Sequence, residues 1–262
     1  RIFCIIGNMH EQDKRSVHIH PITRVIDDIN KIFFEMGFTL IDGPELEDEY
    51  HNFDALNVPK DHPARDMQDT FWIKPTKDFP GVERKLMRTQ TSAMQVHYME
   101  ENKNPPIRII CPGKTYRKEA TDATHEMQFS QIEGLYVDKK VSLATLKSVL
   151  NVFFDKFFEK DVDIRFRPSY FPFVEPGAEI DISCFKCKGG ESGCPVCKGT
   201  GWVEVMGAGV VHPKVLKTVG INPDEWTGFA FGGGVERLAM LKYGIDDIRL
   251  FNSGDLRLVN QF

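Results

Sequence analysis

The segment Gly-Phe-Ala-Phe-Gly-Gly-Gly-Val-Glu-Arg, residues 228–237, runs from an apolar strand into a predicted helix. Glycines let a ligand approach the backbone closely. Arg237 falls at the start of the helix, where its guanidinium can hold an anionic phosphate. Close packing between a strand and a helix explains such glycines about as often as phosphate binding does. The segment therefore indicates a phosphate site only if other motifs in the sequence support it.

A second charged segment, Tyr116-Arg117-Lys118-Glu119, follows a predicted strand at residues 108–111. Polar residues 120–127 suit a hairpin loop that leads back into a strand, predicted at residues 131–137. Residues two apart on a strand face the same way, so one site would receive the Arg117 guanidinium and, from Glu119, an acceptor for an amino group. The alternative is a surface ion pair.

The rest of the chain predicts an α+β fold. Apolar residues recur at three- and four-residue intervals over residues 21–36, with Pro21 near the first helical position and Gly37 in a capping position. Successive strands with grouped helices favour an antiparallel β-sheet flanked by helices. Further strands are predicted at 38–41, 70–73, 163–167 and 202–206, helices after Ser142 and at 213–219 and 235–243, and a surface loop at 52–69.

Composition indicates a soluble globular enzyme, and 262 residues can form one large domain or two small ones. The chain is 41% hydrophobic and 27% charged, and its 33 basic and 38 acidic residues give a net charge of −5. That balance argues against a domain whose main task is to grip nucleic acid. The opening apolar stretch is too short for a signal peptide or membrane span, which predicts a cytoplasmic protein with no membrane partner. Because the first residue is Arg1 and not Met, we expect a piece of a longer chain.

Four cysteines form two pairs, Cys184-x2-Cys187 and Cys194-x2-Cys197, separated by six residues. Four thiolates in two such turns can close a tetrahedral structural zinc site. Disulfides are disfavoured in a reducing compartment, and a redox Cys-x-x-Cys would not come in duplicate. We predict a zinc hairpin inserted at about 182–201, with the remaining Cys4 and Cys111 as small apolar residues.

Three units resemble the motifs of class II aminoacyl-tRNA synthetases in content, order and spacing. Gly37-Phe38 followed by Pro44 is similar to motif 1, Tyr116-Arg117-Lys118-Glu119 to motif 2, and Gly232-x-Gly234-x-Glu236-Arg237 to motif 3. The resemblance implies a dimer interface at motif 1. It also implies a bent ATP, with its α-phosphate on Arg117 and its γ-phosphate on Arg237 as the catalytic residues.

The same resemblance supplies the other ATP contacts. Glu119 would meet the adenine amino group, Phe129 would stack on the base, and His125 would lie near the phosphates. Glu236 completes the implied ATP-binding set.

Further stretches narrow the resemblance to the bacterial phenylalanyl-tRNA synthetase α subunits, from about residue 20 to 262. They are FDALN at 53–57, HPARD at 62–66, RTQTS at 88–92, THE at 124–126, FPFVEP at 171–176 and GFAFG at 228–232. The sequence departs from that family at Gln90, where histidine is common, and at Gln68, where an aromatic residue or histidine is common.

The implied amino-acid site has a physical rationale in three residues. Phe171 and Phe173 would alternate to one face of an extended segment and offer ring edges to a phenyl group. Ala230 would form the floor and set the size limit. The full implied phenylalanine-binding set is Thr91, Ser92, Gln95, Gln131, Glu133, Phe171, Phe173, Val174 and Ala230.

The resemblance implies that residues 1–262 form the catalytic core of a phenylalanine–tRNA ligase α subunit that forms phenylalanyl-adenylate and charges tRNA(Phe). It also implies Mg²⁺, with Glu175 as a ligand at the junction with a β subunit, and a complex of two α and two β subunits. Two alternatives are a class II synthetase for phosphoserine or another amino acid, and a noncatalytic regulatory or nucleic-acid-binding relative. The absence of arginine or lysine from residues 171–176 argues against the first, and the joint presence of Arg117, Glu119, Glu236 and Arg237 argues against the second.

Overall fold

A computed structural model describes residues 18–61, 70–73, 85–184, 186–187, 192–194 and 196–262. The sequence segment at 62–66, together with Gln68 and Cys4, lies outside these ranges. The statements below concern the described residues.

The strands are β1 Thr39–Leu40, β2 Leu46–Asp48, β3 Lys85–Met87, β4 Ile107–Tyr116, β5 Gln128–Asp138, β6 Ile164–Phe171, β7 Val174–Ser183, β8 Trp202–Val211 and β9 Thr227–Gly234. A seven-stranded sheet forms the centre of the described structure, in the order β1-β4-β5-β9-β8-β7-β6. The β1–β4 pair is parallel and every other pair is antiparallel, which confirms the predicted antiparallel sheet flanked by helices. A separate two-stranded sheet pairs β2 with β3.

Helices cover the sheet, and their ends follow local sequence signals. Ser142 caps its helix by accepting the backbone N–H of Thr145, and Thr145 returns the bond in a capping box. The α-helices are α1 Pro21–Glu35, α2 Ser92–Glu101, α3 Leu143–Phe158, α4 Pro213–Thr218, α5 Val235–Tyr243 and α6 Leu256–Val259. A π-helical turn at Tyr50–Asp54 and a 3₁₀ turn at Ile248–Phe251 complete the set. No helix in the described ranges is long and apolar enough to cross a bilayer.

Aromatic packing joins the helices to the middle of the sheet. The buried Phe33 ring of α1 stacks on Phe153 of α3 at 4.9 Å and on Phe231 of β9 at 5.3 Å between centroids. Burial of three such rings contributes several kcal/mol through apolar area alone, at about 25 cal/mol per Å². The glycine-rich strand is therefore anchored from behind by the first and third helices.

Two predictions of secondary structure between residues 50 and 73 are wrong. Residues 52–58 are not part of a surface loop, because the π-helical turn and the residues after it bury Asn52, Phe53 and Leu56. Residues 70–73 do not form a strand and make only one bridge, between Trp72 and Leu86. Helix α2 and strand β7 were not predicted at all.

Close packing in the sheet makes Gly134 a testable position. Gly134 of β5 lies opposite Phe231 of β9, and a Cβ atom there would lie 2.2 Å from Cζ of Phe231. We expect Gly134→Ala to lower the free energy of unfolding by about 1–3 kcal/mol, because a buried ring must move. Urea unfolding of this variant, of Phe231→Leu and of the double variant measures the effect. The double variant should lose less than the sum of the singles, and strict additivity would contradict the steric cause.

Candidate active site

A cavity of about 910 Å³ opens over the centre of the sheet. The backbone of β9 at Gly232 and Gly233 forms part of its wall. A Cβ at Gly232 would lie 2.6 Å from Cγ of Glu133 on the neighbouring strand. Because glycine has no side chain, the side chain of Glu133 can lie across this position. The predicted site residues that line the cavity are Ser92, Gln95, Arg117, His125, Gln131, Glu133, Phe171, Phe173, Val174, Ala230 and Arg237.

Glu133 is a buried carboxylate in the wall of this cavity. Its Oε2 atom accepts hydrogen bonds from Ser92 Oγ at 2.5 Å and from Gln95 Nε2 at 3.0 Å, both from helix α2. Burial raises the pKa of Glu133 to about 7, although the bond from Ser92 and the charge of Arg117 act in the opposite direction. A carboxylate held this way is suited to bind a cationic group such as an ammonium.

Arg117 lies just beyond the end of β4, in the loop and not on the strand as predicted. Its Nε donates to the carbonyl oxygen of Thr89 at 3.2 Å, and its Nη1 lies 3.9 Å from Oε1 of Glu119. The guanidinium carbon lies 5.1 Å from the centre of the Phe129 ring. Burial lowers the pKa of Arg117, and the carboxylates of Glu119 and Glu133 oppose that shift. The arginine stays cationic, since even a lowered guanidinium pKa is far above neutrality.

Arg88 fixes the segment that orients Arg117. This fully buried side chain donates from Nε to the carbonyl of Lys114 at 2.8 Å and from Nη1 to those of Gly43 and Pro44, each at 3.2 Å. The arginine thus joins strand β4 to the turn after β1. Thr89, the next residue, is held in place on the other side by a hydrogen bond between its backbone N–H and Oδ1 of Asn52 at 3.2 Å.

Arg237, in the first turn of α5, is the second cation in the cavity wall. Its Nε lies 3.5 Å from the carbonyl oxygen of Glu204, and burial lowers its pKa. Glu236 faces away from the cavity, and both of its carboxylate oxygens accept the backbone N–H of Ser130, at 2.8 and 2.9 Å. Burial raises the pKa of Glu236 to about 7. Its contacts position α5 against β5 and do not point to a ligand.

The aromatic pair comes from a tight turn and not from an extended segment as predicted. Pro172 and Phe173 form the two-residue connection between β6 and β7, since Phe171 pairs with Val174. The rings of Phe171 and Phe173 lie 5.9 Å apart at 26°. With Ala230 and Val174, they make one end of the cavity apolar.

The other predicted site residues lie outside the main cavity or at its edge. Phe129 lines a second cavity of about 350 Å³, with Glu236. His125 is exposed at the cavity mouth, with Nδ1 3.0 Å from Asp122. Glu119, Thr91 and Glu175 are not among the lining residues, and Glu175 is 76% exposed, with Oε2 3.3 Å from Nε2 of His212.

The structure adds cavity residues that the sequence analysis did not assign. Gln90 lines the cavity, and its Nε2 donates to the backbone carbonyl of Asn52 at 3.2 Å. The carboxylates of Glu179 and Glu204 also line it, on neighbouring strands β7 and β8, and both lie near Arg167. Two carboxylates beside the cavity are oxygen donors of the kind that Mg²⁺ prefers. Side chains two residues apart on a strand face the same side of the sheet, and this period is the sequence signal that could have identified Glu179 and Glu204.

The four paired cysteines converge between β7 and β8. Their sulfur atoms lie within 4.8 Å of one another, with Sγ–Sγ distances of 3.9 Å for Cys184 and Cys194 and 3.3 Å for Cys187 and Cys197. A tetrahedral zinc with Zn–S bonds of about 2.3 Å requires sulfurs about 3.8 Å apart. The thiols therefore fit a zinc ion. Cys111 is remote from them in sequence and buried, and burial raises its pKa to about 12.

Taken together, the cavity offers an apolar aromatic end, a carboxylate for a cation, and two guanidinium groups for anions. Such a site can hold a small zwitterion with an aromatic side chain next to a polyphosphate.

Comparison with known proteins agrees with this chemistry. Residues 7–262 match the family model described as tRNA synthetases class II core domain (F). A phenylalanine–tRNA ligase alpha subunit of Bacillus subtilis is 56% identical over 244 residues, covering 93% of this chain and 68% of that protein. The protein of the same name from Dehalococcoides mccartyi is 57% identical, over 93% and 69% of the two chains. That of Geobacillus thermodenitrificans is 55% identical, over 93% and 68%.

The raised pKa of Glu133 predicts a pH-dependent stability. The folded chain binds the proton of Glu133 more tightly than the unfolded chain does. The resulting contribution to the free energy of unfolding is therefore fully present below about pH 4.5 and is lost as the pH rises through about 7. In Glu133→Gln an amide that does not titrate replaces the carboxyl. This variant should therefore lack the decrease in unfolding free energy that Glu133 causes between pH 5 and 8, on the order of 2–3 kcal/mol.

Chemical unfolding at a series of pH values measures this slope. Glu236 should still contribute its own slope in the variant. An unchanged pH profile in Glu133→Gln would show that the carboxyl of Glu133 is not the titrating group.

Proposed function

The chain belongs to the class II aminoacyl-tRNA synthetases, among the bacterial phenylalanine–tRNA ligase α subunits, and from that premise we propose how its cavity works. The enzyme is a ligase that forms aminoacyl-tRNA. We propose that it activates phenylalanine with ATP and transfers it to tRNA(Phe). The observation that carries the proposal is the placement of buried Glu133, the two arginines and the aromatic pair around one cavity.

In the proposed first step, a carboxylate oxygen of phenylalanine attacks the α-phosphorus of ATP. A bond forms between that oxygen and phosphorus, and pyrophosphate leaves. Arg117 stabilises the charge on the α-phosphate, and Arg237 holds the γ-phosphate so that the ATP is bent. The protein acts mainly through proximity and charge stabilisation and forms no covalent bond to either substrate.

In the second step, a ribose hydroxyl of the terminal adenosine of tRNA attacks the activated carbonyl, and AMP leaves. We propose that Glu133 binds the amino group of phenylalanine during both steps. Ser92 and Gln95 hold the carboxylate of Glu133 in place by hydrogen bonds. Gln131 completes the polar end of the amino-acid site, and Thr91, which does not line the cavity, is proposed to support Glu133 through its backbone hydrogen bond. Glu119, Phe129 and His125 are proposed for the nucleotide.

Specificity for phenylalanine is proposed to lie at the apolar end. Phe171 and Phe173 offer two nearly parallel rings, and Ala230 presents a single methyl group. A pocket of this composition favours a phenyl group and leaves a buried charged side chain unpaired.

Magnesium is proposed at two places. ATP chemistry in this family uses Mg²⁺, which neutralises charge on the phosphates when bound. Glu179 and Glu204 line the cavity and would hold the ion that accompanies ATP. Glu175, exposed and close to His212, is proposed as a ligand at the junction with another subunit.

Zinc is proposed for the four-cysteine hairpin. The sulfur positions fit a tetrahedral ion, and the hairpin lies between β7 and β8, which both line the cavity. Its role there would be structural, because four thiolates leave no open position for a substrate.

The proposed partners are a β subunit, in a complex of two α and two β chains, and tRNA(Phe). The motif 1 unit supports a protein interface, since Phe34 is 77% exposed and Leu40 is 53% exposed. Both lie in or next to the motif 1 segment, and exposed apolar surface is a feature of protein interfaces. Translation takes place in the cytoplasm, which is the proposed compartment.

The reaction predicts pyrophosphate exchange into ATP that depends on phenylalanine. We expect Arg117→Lys to lower kcat/KM about 100-fold or more, because a point charge replaces a planar donor at the reacting phosphate. The measurement is exchange by the full-length protein with its β subunit. Arg108→Lys is the matched control, since Arg108 contacts Tyr136 and does not line the cavity.

Three outcomes separate the possibilities. Exchange that depends on another amino acid would keep the mechanism and overturn the specificity. No exchange with any amino acid would overturn the enzymatic proposal. Equal losses in Arg117→Lys and Arg108→Lys would show that Arg117 has no special place in the reaction.

The zinc site predicts one zinc per chain. Metal analysis of protein purified without chelator should find it in the natural protein and in Cys111→Ser, and find much less in Cys187→Ser. Removing the metal should lower the melting temperature, because the free energy of binding a structural zinc adds to the free energy of folding. A natural protein free of zinc and insensitive to chelator would contradict the assignment.

A further inference from the structure

Asn57 ends the buried turn at residues 50–58 in an unusual backbone conformation. Its φ is +59°, in the left-handed region where glycine is usual and asparagine is the next most tolerated residue. The backbone N–H groups of Val58 and Asn57 donate to the carbonyls of Phe53 and Asp54, each at 3.1 Å. These two bonds are those of a Schellman motif, which places Asn57 at the position that most often holds glycine.

The Asn57 side chain reaches a segment far away in the sequence. Its Nδ2 donates to the carbonyl oxygen of Pro172 at 2.7 Å. Pro172 is buried in the two-residue turn that carries the rings of Phe171 and Phe173. On the other side of that turn, the backbone N–H of His212 donates to the carbonyl of Phe173 at 2.9 Å. Both carbonyls of the aromatic turn are therefore held by donors from other parts of the chain.

The sequence neighbours of Asn57 line the main cavity of about 910 Å³. Leu56 and Val58 line it, and both belong to the apolar cluster against which the two rings pack. The Phe171 ring in turn lies close to the backbone of β8, since a Cβ at Gly207 would be 3.1 Å from its Cζ. A shift of the turn would therefore change the width of the apolar end directly.

We propose that Asn57 is a positioning residue for amino-acid specificity, which holds the aromatic turn at a fixed distance from the opposite wall of the cavity. The inference rests on the proposed function for its substrate. Glycine at this position would satisfy the backbone with less strain. The presence of asparagine is explained by its carboxamide, which supplies the donor that the Pro172 carbonyl needs.

Two variants test the role of the side chain. Asn57→Gly keeps the left-handed backbone and removes the donor, and Asn57→Asp keeps the size and replaces the donor by an acceptor. In phenylalanine-dependent exchange by the full-length protein with its β subunit, we expect KM for phenylalanine to rise roughly fivefold in each. KM for ATP and kcat should stay within about twofold. The preference for phenylalanine over p-chlorophenylalanine should fall, because the turn can move outward.

Glu159→Gly is the matched control for the backbone change. Glu159 also has a left-handed φ, of +56°, at the end of α3, and it does not line the cavity. Its substitution should leave both KM values and the amino-acid preference unchanged. Unchanged KM for phenylalanine in both Asn57 variants would overturn the proposal, and so would equal increases in KM for phenylalanine and ATP, which would indicate a general structural role.

Hydrogen exchange separates this inference from the proposed function. Peptides covering residues 171–175 should exchange faster in Asn57→Gly than in the natural protein, and not in Glu159→Gly. If the natural protein lacked phenylalanine-dependent exchange into ATP, the proposed function would fail while this comparison still showed whether Asn57 holds the turn. Identical hydrogen exchange of these peptides in the natural protein, Asn57→Gly and Glu159→Gly would overturn the positioning role.

Discussion

The close approach of strands β5, β9 and β8 is the constraint on which the rest of the structure depends. Where β9 crosses the centre of the sheet it carries Gly232 and Gly233, so its neighbours contact backbone and not side chains. Glu133 occupies the space that a side chain at position 232 would need. The glycines of β9 therefore leave part of the sheet surface open to the cavity, and side chains from neighbouring strands and adjoining segments surround that opening.

Those polar groups are positioned mainly by backbone acceptors. Arg88 binds three carbonyl oxygens and joins the turn after β1 to β4, while Thr89 presents its own carbonyl to Arg117. Hydrogen bonds from a charged donor are stronger than neutral ones, and buried ones are costly to leave unmade. The Nε of Arg117 is thus oriented by a carbonyl oxygen, while the carboxylate of Glu119 lies farther away, at 3.9 Å from Nη1.

The sequence predicts helix α5 to the residue and the antiparallel sheet correctly, because glycine and apolar periodicity mark both. Helix α2 escaped prediction because Ser92 and Gln95 occupy its buried face, which breaks the apolar stripe that identifies amphipathic helices. The turn at 50–58 escaped for a related reason. Asn52 is wholly buried and pairs with Thr89, a contact between segments 37 residues apart that local composition cannot reveal.

The two buried glutamates show why geometry, and not acidity, identifies the site. Burial raises the pKa of both Glu133 and Glu236 to about 7. Both oxygens of Glu236 accept the backbone N–H of Ser130, which opposes the rise of its pKa, and the residue lies outside the main cavity, so burial alone raises that pKa. Glu133 lines the cavity within the field of Arg117, and a bound ammonium would offset the cost of burying its charge. The raised pKa therefore indicates function at Glu133, which lines the large cavity together with Arg117, and not at Glu236, whose oxygens are satisfied by a backbone N–H.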